Sequence, residues 1–76
     1  MPGPKLDLTV KHGDIIVTLP GTSYAVTYCK PQDCPQLVAK RIARRDDPRA
    51  GMRLSAFLAE AWRCANEKAR ELGWIV

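Results

Sequence analysis

The chain opens with two-residue periodicity. Leu6, Leu8 and Val10 alternate with Lys5, Asp7, Thr9 and Lys11, the pattern of a strand with one buried face. After His12-Gly13, Ile15, Val17 and Leu19 form a second alternating set. Pro20-Gly21-Thr22-Ser23 reads as a turn, because Pro presets φ and Gly supplies a positive φ. Tyr24, Val26 and Tyr28 form the third set. If His12-Gly13 is a two-residue hairpin loop, Val10 faces Ile15, Leu8 faces Val17 and Leu6 faces Leu19. A loop of two or four residues at Pro20 then puts Tyr24, Val26 and Tyr28 on the same face. The opposite face carries Asp7, Thr9, Ile16, Thr18, Ala25, Thr27 and Cys29, a small, threonine-rich surface.

Pro31 ends the third alternating set, and the period then changes. Pro35 suits the first turn of a helix, with Cys34 before it as N-cap. The pattern predicts a first helix from about Pro35 to Arg45, with Val38, Ala39, Ile42 and Ala43 as its apolar stripe and Lys40, Arg41 and Arg44 pointing away. Leu37 falls on the polar side of that helix. Asp46-Asp47-Pro48 stops it. A second helix is read over residues 54–72, because Leu54, Phe57, Leu58, Ala61, Trp62, Ala65, Ala69 and Leu72 recur at spacings of three and four. Ser55 is its expected N-cap, Gly73 its C′ residue and Trp74 the apolar contact beyond it. Phe57 and Trp62 are both assigned to the core.

These elements predict an α+β fold: a three-stranded antiparallel β-meander followed by two α-helices packed on one sheet face. Residues 1–4, with two prolines and a glycine, read as a flexible tail, and residues 5–76 as one small domain. A chain of 76 residues buries only about 60–65% of its unfolded surface, so modest stability is expected.

Charge sharpens the picture at one place. The window KRIARRDDPRAGMR holds Lys40, Arg41, Arg44, Arg45, Arg49 and Arg53 against Asp46 and Asp47, and so carries the whole formal excess of +4. Arginines and lysines so grouped can straddle phosphates or steer another anionic partner. They equally suit a solvated helix face, and basic groups near a helix C-terminus favour its dipole. The two aspartates interrupt the block, and no aromatic residue inside it could stack on a base.

The order βββα recurs in small DNA-binding domains, including integrase arm-binding and plant AP2-type domains, and double-stranded-RNA-binding domains have a related order. The DNA-binding examples present the open sheet face to the groove. Here that face has few donors and little positive charge, and no nucleic-acid motif is matched.

Other chemistry finds little support in the sequence. Cys29 and Cys34 are separated by four residues, and Cys64 with His12 could complete a zinc set on paper, but there is no second close pair, and the hairpin places His12 at the far end of the sheet. The odd count of three cysteines excludes a complete disulfide framework and points to packing thiols in a cytoplasmic protein. The single histidine lies in a turn, Ser23 and Ser55 lack an evident base, and no phosphate loop occurs, so neither enzyme activity nor a cofactor is expected. No apolar run approaches the roughly 20 residues of a membrane span, and the N-terminus lacks a secretory pattern.

The sequence therefore points to binding rather than catalysis. The expected function is that of a protein-interaction module, self-association included, using an edge strand and the apolar end Trp74, Ile75 and Val76. The alternative is nucleic-acid or polyanion binding through the basic window.

Overall fold

The computed structural model describes residues 6–75. They form four strands, β1 (Asp7–Lys11), β2 (Asp14–Thr18), β3 (Ala25–Cys29) and β4 (Val38–Ile42), then a 3-10 turn (Pro48–Ala50) and one helix, α1 (Leu54–Glu71). The strands make one antiparallel sheet in the order β1-β2-β3-β4. The α+β class stands, but there are four strands and one helix in place of three strands and two helices.

The first three strands follow from the alternation. Val10 pairs with Ile15 and Leu8 with Val17, as a two-residue loop requires. His12 and Gly13 both take positive φ, 51° and 80°, the arrangement of a type I′ turn that matches strand twist. At the next corner the Thr22 N–H donates to the Leu19 carbonyl, and the Thr22 hydroxyl donates to the same oxygen. Ile15, Val17, Leu19, Tyr24, Val26 and Tyr28 are all buried on one face, with Leu6 and Leu8 packed at its margin.

The correction lies in residues 35–45, which form no helix. Residues 38–42 instead pair with β3, Cys29 opposite Val38 and Val26 opposite Ile42. Two physical reasons decide this. The outer edge of β3 would otherwise leave main-chain groups unpaired beside the buried Val26 and Tyr28, whereas an isolated helix of about 11 residues is marginal in water. In addition, Val38 and Ile42 are four apart, which puts them on one side of either a helix or a regular strand, and both are β-branched. Leu37, assigned above to a polar side, is only 4% exposed and belongs to the core.

The strand is not regular. Thr27 pairs with Arg41 and Tyr28 with Ala39, so Lys40 is an extra residue, a β-bulge. The bulge sends Val38 to the open face with Cys29 and Ile42 to the helix-bearing face with Val26.

Helix α1 covers β2 and β3. Phe57, Ala61, Ala65 and Ala69, each four residues from the next, are fully buried, and the three alanines let the helix lie close to the sheet. The Phe57 ring packs on Tyr24 with centroids 5.1 Å apart. Trp62 is not a core residue: it is 43% exposed, its ring edge-on to Tyr28 at 5.5 Å. The helix ends in a Schellman motif, with Trp74 N–H donating to Ala69 and Gly73 N–H to Arg70 while Gly73 takes φ 80°. No helix among the described residues is long and apolar enough to cross a membrane.

Candidate binding edge at β4 and the arginine loop

The basic window does not lie on a helix. Its first part is the edge strand β4, exposed at all five positions, and its second part is the loop that leads through the 3-10 turn to α1. Lys40 reaches across β3 on the open sheet face, its Nζ 3.1 Å from Asp14 Oδ2. Arg41 shares that face, opposite Thr27, and with Ile16, Asp14 and Lys40 it borders a shallow depression. The fourth strand thus adds Lys40 and Arg41 to an open face on which the first three strands place only Lys11. Arg44, Arg45 and Arg53 flank the strand and the 3-10 turn, and all three are exposed. Among the described residues, Arg41, Arg44, Arg45 and Arg53 make no ion pair.

Arg49 is differently employed. Its Nε and Nη2 donate to the two oxygens of Asp47 at 3.2 and 3.1 Å. Asp47 is buried and caps the 3-10 turn, accepting from the Arg49 N–H at 2.9 Å and from the Ser23 N–H at 2.7 Å. The Arg49 guanidinium, helped by these two main-chain donors, holds the Asp47 carboxyl well below the usual carboxylate range. Asp46 accepts from the Leu54 N–H at 2.7 Å and so caps α1 from outside the helix. Arg53, at the N-cap position, makes no side-chain cap bond, and Ser55 lies inside the helix rather than at its cap.

Tyr24 fastens this loop to the core. Its hydroxyl donates to the Met52 carbonyl at 2.9 Å and accepts from the Asp47 N–H at 3.0 Å. The two aspartates are therefore structural, and their carboxylates face main-chain N–H groups. Asp-Pro is the sequence signal that could have shown it, since an Asx cap followed by Pro at the first position starts a helical turn.

The remaining candidates are dispersed. Trp74 and Ile75 are partly buried and pack against the core. Val76 lies outside the described residues, as do the residues of the N-terminal tail. Cys29, Cys34 and Cys64 are free thiols of intermediate burial. Cys29 pairs with Asp14, next to the His12-Gly13 turn, so His12 is at the same end of the sheet as Cys29 and not at the far end. Among the described residues no group of three or more His, Cys, Asp or Glu side chains is placed to hold a metal ion.

Sequence reasoning missed the exposed apolar side chains beside the arginines. Val38 and Ile42 are 43% and 46% exposed on β4, one on each sheet face. Burial pushes the phenol of Tyr28, which pairs with Ala39 on this strand, above its ordinary value. The geometry is that of a strand edge that meets no further strand among the described residues, with exposed apolar side chains on both faces, Lys40 and Arg41 within it and Arg44 and Arg45 just beyond. No family model matches the chain, and comparison with curated proteins and with solved structures finds no significant match.

Proposed function

We propose that this chain is a non-catalytic binding module whose protein partner lays an extended acidic segment along β4. One observation carries the reading: the last strand of the sheet is exposed at every position and is followed by Arg44 and Arg45, which make no ion pair among the described residues. An edge strand offers a row of unpaired main-chain groups, and added strands bind through them, with side-chain pockets giving specificity. The Ala43 N–H donates inward to the Ala25 carbonyl, so alternation turns the Ile42 N–H outward. Val38 and Ile42 supply apolar contact, and Arg41, Arg44 and Arg45 select for carboxylates. Three unbridged cysteines support a cytoplasmic site of action.

A second reading is favoured by the same arginines: a nucleic acid or other polyanion held by Lys40, Arg41, Arg44, Arg45 and Arg53. Arg49 adds little to it, because both Asp47 oxygens already occupy its guanidinium. The two readings separate in one titration with an eight-residue alternating Val-Glu peptide and a mixed-sequence DNA duplex, each at low and high salt. Strand addition predicts that the peptide binds and that Ile42→Pro, which removes an outward donor, abolishes binding. Polyanion binding predicts that the duplex binds, tolerates Ile42→Pro and is lost with Arg41→Glu, Arg44→Glu and Arg45→Glu combined. For about five phosphate contacts its log–log salt slope would be about −4.5. Failure of the peptide to bind the wild-type chain refutes the first reading.

A further inference from the structure

The other edge of the sheet is β1, Asp-Leu-Thr-Val-Lys, and its outer side meets no strand among the described residues. The type I′ turn at His12-Gly13 makes Lys11 and Asp14 a hydrogen-bonded pair, since a two-residue loop closes on such a pair. By alternation, the main-chain groups of Asp7, Thr9 and Lys11 turn toward β2. Those of Leu8 and Val10 turn outward. An antiparallel partner strand must pair through these outward groups.

For a second copy of β1, a two-fold axis can then pass through Leu8, Thr9 or Val10. An axis at Leu8 sets Asp7 against Thr9 and Lys11 against Lys5. An axis at Val10 sets Leu8 against His12 and Thr9 against Lys11. Only the axis at Thr9 engages all five residues of each strand. It places Asp7 opposite Lys11 twice, Leu8 opposite Val10 twice, and Thr9 opposite itself. The charged pairs fall on the open sheet face and the apolar pairs on the helix-bearing face. Opposite charges directly across a pair of strands stabilise it, and like charges oppose it. Among the described residues Asp7 and Lys11 make no ion pair, and Val10 is 40% exposed although it lies on the face that α1 otherwise covers.

The β4 edge is the opposite case. Centred on Lys40, self-pairing would set Lys40 against Lys40 with Arg41 on either side, and the bulge breaks the ladder there. We therefore propose that β1 is a homodimer edge, pairing antiparallel with β1 of a second copy about a two-fold axis at Thr9. The two four-stranded sheets become one of eight strands, with both α1 helices on the same face and both β4 edges left free at the ends. This rests on the same reading of sheet edges as binding surfaces, but it uses the edge that β4 binding does not.

Sedimentation velocity over a concentration series tests it, with circular dichroism as the check on folding. The wild-type chain should form a concentration-dependent dimer. Asp7→Lys and Lys11→Asp each turn both charged pairs into repulsions and should weaken self-association by about tenfold or more. In an equimolar mixture of the two variants, one chain is basic at both positions and the other acidic at both. Both cross-strand pairs are then attractive again, and the mixture should sediment as a heterodimer. Val10→Pro removes an outward N–H without touching the β2 ladder and should give a folded monomer. It also covers the case in which Lys11→Asp, beside Asp14, disturbs the fold. A wild-type chain that stays monomeric, or a dimer that survives Val10→Pro, overturns the proposal. The Val-Glu peptide titrated into the Val10→Pro chain reports on β4 separately, so loss of the dimer and loss of edge binding are distinguished.

Discussion

Tyr24→Phe tests whether the arginine loop is held by the core or merely lies over it. The substitution keeps the ring, which is 1% exposed and packed on Phe57, so apolar burial barely changes. It removes one oxygen that accepts from the Asp47 N–H at 3.0 Å and donates to the Met52 carbonyl at 2.9 Å. Each main-chain group left without its partner costs about 1–3 kcal/mol, and solvent can reach Met52 more readily than Asp47, so a total of about 2–4 kcal/mol follows. A domain of 76 residues has about 4–11 kcal/mol in all, so the loss is a large share of its stability. In a chain of this size a loss of about 2 kcal/mol lowers Tm by about 8–16 °C. Urea unfolding followed by circular dichroism and by tryptophan fluorescence measures it directly. The midpoint should fall while the slope is unchanged, because the surface exposed on unfolding is the same. A destabilisation below about 0.5 kcal/mol would show that the hydroxyl does not anchor the loop.

Asp47→Asn should change the acid limb of stability. The folded-state carboxyl titrates well below its unfolded value, so its contribution is complete above about pH 4 and drains away as pH falls further. Below that pH the wild-type chain should lose stability more steeply than the asparagine variant, and superimposable slopes in acid urea titrations would contradict this account. Ala65→Leu adds volume on the buried face of α1, at a position that is fully buried. Overpacking there should cost about 1–3 kcal/mol by the same urea assay, and a neutral or stabilising result would mean that the helix stands farther off.

The first half of the fold was legible because several local signals agree. Alternation, the His12-Gly13 turn and Pro20-Gly21 each specify the same register, and a slip of one residue would expose the entire apolar set. The end of α1 was equally clear, since Gly73 supplies the positive φ and Trp74 the capping N–H. The segment around Val38 was not, and the cause is arithmetic. Apolar residues four apart satisfy both the helical and the two-residue period, so the pattern could not choose between them. The choice came from β3, whose outer edge needed partners, and that requirement lies outside the segment itself. The bulge at Lys40 is a further step removed, for no spacing within β4 announces it.

The basic window shows the same limit in charge rather than in pattern. Counting charges in sequence treats Asp46 and Asp47 as neutralising the arginines equally, whereas the structure gives each carboxylate a separate task. Asp47 takes up Arg49 and the Ser23 N–H, Asp46 takes up the start of α1, and neither forms an ion pair with Arg41, Arg44, Arg45 or Arg53 among the described residues. The consequence concerns the two edges of the sheet. Basic side chains and a bulge disfavour pairing of β4 with its own copy, whereas β1 has one acidic and one basic end that would face each other in an antiparallel pair of copies. If β1 is the homodimer edge proposed above, association stops at the dimer, because the β4 edges left at its two ends carry Lys40 and Arg41 and would set like charges against a further β4.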